Sequence, residues 1–253
     1  MRAKAVLFAI AAVLVAGCGL VPADQGGDPG AGGGPTGSRR PRTQATGESL
    51  EGRFQYGTMD QYVDAVTPMI TQWMGETWRG MPLPRQILYV PHGASGPEDC
   101  LDPTGRAATY TSGSYEYCPA EQVIYVGQDI LWEFYTRTGD AGPAVGLAHE
   151  FGHHIQVHAG VPSPRTAEES VRHENQADCL AGAWTRYTDE KGWLEYPDDI
   201  EDIDALFPLI GGAESLDRDH GTEVERKRSF QRGFDTGVRA CEAFYPSVPL
   251  GAG

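Results

Sequence analysis

The segment His149-Glu150-Phe-Gly-His153 constrains the fold of this 253-residue chain more strongly than any other stretch. It lies in a run with the periodicity of a buried helix, predicted from Pro143 to about His158. Residues four apart lie one above the other on a helix, so the two imidazoles can bind one metal ion together. Glu150 projects beside that face and can reach a water molecule on the metal without being a ligand itself. The segment therefore predicts a helix that carries part of a metal site.

A second pair of residues four apart supplies the rest of this site. Glu174 and Asp178 fall in a helix predicted from Thr166 to about Tyr187. The 20 residues between His153 and Glu174 are enough for a turn and a returning antiparallel helix, which would bring Glu174 to the metal as third ligand. Asp178 is then placed to accept a hydrogen bond from the outer nitrogen of a ligating histidine. The alternative is that Glu174 is a solvated helix carboxylate.

Three protein ligands leave one position open for water, which is typical of catalytic zinc sites and not of structural ones. Zinc lowers the pKa of such a water to about 7, and Glu150 is the predicted general base. His220, beside a glycine in a loop, is the candidate donor to the developing oxyanion, although it could equally be a solvated loop histidine. His154 lies about 100° around the helix from His153 and should miss the metal. The donor set suits Zn²⁺ best, yet cobalt or manganese could occupy the site in vitro.

Residues 1–17 predict a secretory signal peptide. Two positive charges precede an apolar run of 11 residues, which is too short to span a membrane comfortably. The run ends in Val-Ala-Gly-Cys18, and small residues before a cysteine resemble the bacterial lipobox. That resemblance implies cleavage before Cys18, a diacylglyceryl anchor on its sulfur, and an extracytoplasmic lipoprotein attached to the bacterial cell membrane. The alternative is an ordinary signal peptide with an incidental cysteine.

The segment 18–50 predicts a tether between the lipidated Cys18 and the folded part. From Gly19 to about Gly47 it is rich in Gly and Pro and nearly free of apolar residues, so burial cannot offset its ordering entropy. A flexible segment of this length has an end-to-end distance near 30 Å, at about 5–6 Å × √n. The folded domain is expected to occupy residues 51–247.

Composition narrows the possible partners. With 40% hydrophobic residues, the chain can form one domain with a sizeable core, and we expect a monomer. The net charge of −15 argues against nucleic acid, whose recognition needs a basic surface. It also argues against attachment to anionic lipids by charge alone.

Four cysteines remain besides Cys18, namely Cys100, Cys118, Cys179 and Cys241. An even number in an exported chain indicates two disulfides. Of the three possible pairings, proximity in sequence favours Cys100–Cys118, which leaves Cys179–Cys241, but sequence alone does not choose. A zinc site built from all four cysteines is the competing interpretation, and the chain contains no CxxC spacing to support it.

The remaining patterns predict a mainly helical α+β domain with a small sheet. Strands are predicted at Gln86–Pro91 and Val123–Val126, with the stretch 100–118 between them as a loop or hairpin. This sheet should form one wall of the cleft, where an edge strand could bind an extended peptide through backbone hydrogen bonds.

Helices are predicted on both sides of these strands. A capping box at Thr58–Gln61 should begin a helix that continues to Trp73, and Pro68 should kink or split it. The other predicted helices are Ile130–Tyr135, Asp198–Leu206 and Glu223 to about Arg239.

Four segments in combination resemble the bacterial neutral zinc metallopeptidases: HEFGHHIQ, ENQADCLAGAW, YCPAEQVIYV and HGT…SFQRGFDTG. The similarity covers roughly residues 73–244. It implies a zincin-like fold and a catalytic Glu150, with Asp178 as the ExxxD partner found in gluzincin peptidases. The zinc ligands that it implies are His149, His153 and Glu174. Cys118 and Cys179 fall at cysteine positions of the family pattern, consistent with two disulfides.

The sequence therefore predicts a zinc-dependent endopeptidase that hydrolyses bonds in peptide or protein substrates. Asn175 and the polar stretch 162–172 depart from the family pattern, so the substrate subsites are not inferred. One rival is a lipid-anchored binding protein that keeps zinc for folding or for holding a ligand, but such a protein has no use for Glu150. A zinc amidase acting on cell-wall peptides would share the same cleft chemistry.

Overall fold

The computed structural model describes residues 49–96, 100, 109–212 and 219–252. The predicted signal peptide, the lipidation site at Cys18 and almost all of the tether lie outside these ranges, so they stay predictions. Within the described ranges, no helix combines the length and the apolar character needed to cross a membrane.

Helices dominate the described residues, and a small sheet interrupts them early in the chain. In order, the elements are a 3-10 turn at Tyr56–Thr58, α1 Met59–Thr77, β1 Gln86–Val90, β2 Tyr115–Cys118, β3 Val123–Gly127, α2 Gln128–Thr138, α3 Ala141–Ala159, α4 Ala167–Glu190, α5 Asp198–Ile210, α6 Glu223–Thr236 and a 3-10 segment at Val238–Phe244. This confirms a mainly helical, zincin-like α+β domain.

The sheet has the strand order β1-β3-β2, with β1 parallel and β2 antiparallel to β3. The strands predicted from sequence are β1 and β3. Among the described residues of the stretch predicted as a loop or hairpin, the last four form a strand, β2, which makes a hairpin with β3. The disulfide Cys100–Cys118 ties the end of β2 to the preceding loop, with a Cα–Cα distance of 5.8 Å. The favoured cysteine pairing is therefore confirmed.

One local prediction for α1 is wrong, and one of the two alternatives for Pro68 is excluded. The capping box at Thr58–Gln61 is wrong, because Thr58 gives no side-chain cap to α1 and its hydroxyl instead accepts from the backbone N–H of Gln55 at 2.9 Å. Pro68 does not split the helix, which runs unbroken from Met59 to Thr77. Because proline has no backbone N–H, Pro68 cannot donate a hydrogen bond to the carbonyl of Asp64. Asp64 is exposed, so water can donate to this carbonyl instead.

The helix α3 is the centre of the domain. Thirteen of its 19 residues are buried, so it contacts neighbours on several sides and cannot present an ordinary polar face. Leu147, Phe151 and Ile155 are fully buried, and each stabilises the fold by about 1.5–3 kcal/mol. The polar residues of α3 are thus held on a rigid element.

Glycines let α4 approach its two neighbouring helices closely. A Cβ atom added at Gly152 of α3 would lie 3.1 Å from the Cα of Ala177, so the two helices meet almost backbone to backbone. The crossing of α4 with α6 is tighter, since a Cβ at Gly233 would lie 1.8 Å from the carbonyl oxygen of Cys179. The disulfide Cys179–Cys241 fastens α4 to the 3-10 segment that follows α6.

Gly233→Ala should therefore lower the free energy of unfolding by about 3 kcal/mol or more, because the helices must separate to admit the methyl group. Urea unfolding of the purified protein measures the change. Gly75→Ala is the matched control: this exposed glycine of α1 leaves open space for an added methyl group, and the substitution should stabilise by up to about 1 kcal/mol. Equal stability of the two variants would contradict the close crossing.

Candidate metal centre

The helices α3 and α4 bring the three predicted metal ligands together. One ligand atom each from His149, His153 and Glu174 lies within 4.8 Å of the others. The Nε2 of His149 is 3.1 Å from one carboxylate oxygen of Glu174, and the Nε2 of His153 is 3.4 Å from the other. The two imidazole rings are perpendicular, with centroids 4.7 Å apart. The returning helix inferred from the 20-residue gap is therefore present.

The outer nitrogens of both imidazoles are held by acceptors. The Nδ1 of His149 is 2.8 Å from Asp178 Oδ1, and the Nδ1 of His153 is 2.8 Å from the amide oxygen of Gln156. Gln156 is oriented by its own NH₂ group, which donates to the carbonyl of His173 and to Gln176. Both acceptors keep a proton on Nδ1, which leaves the lone pair of each Nε2 directed at the site.

Arg226 of α6 completes this support, and the sequence analysis missed it. Its guanidinium makes two hydrogen bonds to Asp178, from Nε to Oδ2 at 2.9 Å and from Nη2 to Oδ1 at 2.8 Å. A third bond runs from Nη1 to the carbonyl of Ile210 at 2.9 Å. Both partners of the ion pair are buried. Arg226 thus compensates the buried charge of Asp178 and fixes the carboxylate that orients His149.

The electrostatics of this cluster favour a cation. Burial alone would lower the pKa of His149, but the carboxylates of Asp178 and Glu174 outweigh it and raise that pKa to about 10. Burial likewise opposes ionisation of Glu174, yet the imidazoles of His153 and His149 hold its pKa well below the usual range. The carboxylates thus create a negative potential at both imidazoles, since Glu174 also raises the pKa of His153 against the effect of burial, and a divalent cation would satisfy this potential.

Glu150 and His220 lie at this centre in different surroundings. Glu150 is buried on α3, and burial raises the pKa of its carboxyl although the neighbouring imidazoles of His149 and His153 oppose the shift. His220 comes from the loop before α6 and is half-exposed; its Nε2 lies 3.6 Å from Glu174 Oε2, and its Nδ1 lies 2.9 Å from Asp219. The structure therefore brings the predicted base and the predicted oxyanion donor to the same ligand set.

His154 points away from the centre. The hydroxyl of Tyr117 donates to its Nδ1 at 2.9 Å, and its Nε2 donates to the carbonyl of Pro82 at 2.8 Å. This imidazole fastens α3 to β2 and to the segment before β1, which is the structural role expected from its angle on the helix.

Arg226→Gln should weaken zinc binding about 10- to 100-fold, the usual effect of losing a residue that orients a ligating histidine. The reason is that Asp178 would lose its compensating charge and its fixed orientation. Competition with a chromophoric chelator measures the affinity. Arg228→Gln, on the surface of the same helix, is the control and should leave the affinity unchanged. Equal zinc affinities of the wild type, Arg226→Gln and Arg228→Gln would show that Arg226 does not support the metal centre.

A buried HExxH helix, a carboxylate from an antiparallel helix and a small mixed sheet define the zincin-like class of metallopeptidase domains. The family model described as "putative neutral zinc metallopeptidase" matches residues 98–244, more than half of the chain, and the chain belongs to this family.

Curated relatives match about half of the chain. "Uncharacterized protein YpfJ" of Escherichia coli K12 is 32% identical over 158 residues, covering 52% of this chain and 54% of the relative. "Uncharacterized protein Rv2575" of Mycobacterium tuberculosis H37Rv is 28% identical over 158 residues, covering 51% and 54%. The chain thus spans about half the length of the curated relatives that it matches. No solved structure matches it significantly.

Proposed function

We propose that this protein is a zinc-dependent endopeptidase. The observation that carries the proposal is the convergence of His149 Nε2, His153 Nε2 and the Glu174 carboxylate, together with a buried Glu150 that interacts electrostatically with all three. Two imidazoles and one carboxylate are a donor set of catalytic zinc sites, and they leave a coordination position for water or substrate. A purely structural site gains nothing from a carboxyl like Glu150, which is buried despite the cost.

Zinc in this site would supply Lewis acidity, which polarises a substrate carbonyl and makes water a nucleophile near neutral pH. Glu150 accepts the proton of the attacking water and then delivers it to the nitrogen of the leaving amine. Its raised pKa suits the first step, because a carboxylate with a higher pKa is a stronger base towards the attacking water. His220 donates a hydrogen bond to the oxygen on which negative charge develops.

The edge strand β2 suits the binding of an extended peptide. It pairs with β3 on one side only among the described elements and packs against α3 through Tyr115, whose hydroxyl donates to the carbonyl of Pro143 at 2.8 Å. A peptide that adds to the free edge would gain backbone hydrogen bonds that do not depend on its side chains. This supports cleavage within chains of varied sequence.

We further propose that the domain acts outside the cytoplasm as a lipoprotein anchored through Cys18. Two disulfides in the described domain support this, because disulfides persist in oxidising compartments. Cys18→Ser should move the protein from the membrane fraction to the soluble fraction when both forms are produced in a bacterial host. Recovery of both forms in the same fraction would remove the anchor from the proposal.

Metal removal and restoration test the peptidase proposal. The purified protein is incubated with a peptide library before chelation, after chelation, and after adding back Zn²⁺. Cleavage that is lost and then restored supports a zinc peptidase, and the cut sites give its specificity. A protein that binds zinc and cleaves no library peptide would instead favour the amidase, tested on cell-wall peptides, or the binding protein.

A further inference from the structure

A cavity of about 370 Å³ lies at the ends of α3 and α4 remote from the predicted zinc ligands. It is enclosed by α1, the first turns of α3, the last turns of α4 and the start of α5. Its walls are largely apolar, with Val66, Met69, Val145, Trp184 and Ile203 among the lining residues. This volume falls in the range of small-molecule binding sites.

One side of this cavity is acidic. Asp140, Glu195 and Asp199 line it, whereas Arg53 is the one Lys or Arg residue among the described lining residues. Close to Asp140 are also Glu51 and Asp202, and one carboxylate oxygen from each of these three residues lies within 4.8 Å of the others. The cavity therefore combines an apolar body with an excess of negative charge at one end.

The carboxylates differ in whether the protein itself donates hydrogen bonds to them. Asp202 accepts from the backbone N–H of Ala141 at 3.2 Å, and Asp199 accepts from that of Glu195 at 2.7 Å. Among the described residues, no donor lies within hydrogen-bond distance of the Asp140 side chain. Burial and the neighbouring carboxylates raise the pKa of Asp140 to about 7, so its negative charge is costly in the folded protein.

We propose that this cavity binds an organic cation, an amine or guanidinium carried on an aliphatic or aromatic body, with Asp140 as its principal counter-charge. The cation would relieve the repulsion among the carboxylates, and the body would cover the apolar wall formed by Val66, Val145 and Trp184. A neutral ligand would leave Asp140 unpaired, and an anion would be repelled. A hydrated metal ion would leave the apolar wall in contact with water.

Binding of 4-phenylbutylamine to the zinc-loaded protein tests this, with 4-phenylbutanol as the matched neutral probe. Calorimetry should show saturable binding of the amine, and the alcohol should bind at least about tenfold more weakly, because it cannot form a charge-assisted hydrogen bond. Asp140→Asn should weaken the amine about tenfold and leave the alcohol unchanged. Glu168→Gln removes a highly exposed charge of α4 and should change neither affinity.

Several outcomes would overturn the proposal: no binding of the amine, equal binding of amine and alcohol, or an unchanged amine affinity in Asp140→Asn. Calcium chloride that displaces the amine at matched ionic strength would show selection of charge alone and would also overturn it. Loss of amine binding on zinc removal would place the probe at the metal centre instead. If Asp140→Asn does not fold, Ala65→Leu, which fills the cavity from α1, should abolish amine binding. None of these readouts requires peptidase activity.

Discussion

Glu150→Gln should reduce the rate of peptide hydrolysis by about 10³-fold or more and leave the zinc content of the protein unchanged. The amide has nearly the shape of the carboxylate but cannot accept a proton from water or return one to the leaving amine. General acid–base catalysis contributes about 10²–10⁴-fold, and here the same group performs two successive proton transfers. Initial rates on the best library peptide and metal analysis of the same preparation check both halves of the prediction.

Glu150 is a suitable target because it is not among the groups that converge on the metal position. Removing its buried charge should leave the helix intact, since burial already disfavours the ionised form. Glu168→Gln provides the control for loss of one carboxylate from the surface. Full activity of Glu150→Gln would exclude Glu150 as the base and leave the hydrolysis without a proton acceptor on α3.

Glu174→Gln should weaken zinc binding by much more than about 100-fold. Loss of a residue that only orients a metal ligand typically weakens binding by at most about that factor. The substitution replaces the one anionic ligand by a neutral amide and leaves the two imidazoles without the carboxylate between them. At the same zinc concentration, zinc should then raise the midpoint of thermal unfolding much less, because stabilisation by a ligand falls with the logarithm of its concentration divided by its Kd. Chelator competition and thermal unfolding, each with and without zinc, measure the two effects.

The comparison with Arg226→Gln makes this test specific. Arg226 supports His149 through Asp178, so its loss should weaken zinc binding less than the loss of Glu174, which contacts both imidazoles. The reverse order would mean that Glu174 is not a ligand and that the metal is held elsewhere. The apoprotein of Glu174→Gln should still unfold cooperatively, since the core of α3 and both disulfides do not involve this residue.

Local periodicity explains why the ligand set could be predicted from sequence. His149 and His153, and likewise Glu174 and Asp178, are each four apart on a helix, so their common face follows from helix geometry alone. The close approach of α3 and α4 at Gly152 and Ala177 then brings the two faces together. For these two pairs, helix geometry was sufficient to predict which side chains share a face.

Long-range and weakly patterned features escaped prediction. Arg226 lies 48 residues from Asp178, and nothing in its local sequence distinguishes it from the surface arginines around it. Gln156 could have been noticed, because it follows His153 by three residues on the same helix face. The strand β2 has only four residues, Tyr-Glu-Tyr-Cys, so its alternation is too short to stand out, and the hydroxyl of Thr58 is occupied by the preceding turn. Tertiary contacts decided the role of Arg226 and the pairing of β2, whereas Gln156 and Thr58 make local hydrogen bonds.

The order of residues along the chain also sets when the centre can become functional during synthesis. The ligands at 149, 153 and 174 are all made before Arg226, which neutralises Asp178, and before Cys241, which fastens α4 through Cys179. A growing chain that stops short of α6 would hold the ligands but carry an uncompensated buried carboxylate beside them. The support of this centre is therefore complete only after α6 and the 3-10 segment that follows it have been made.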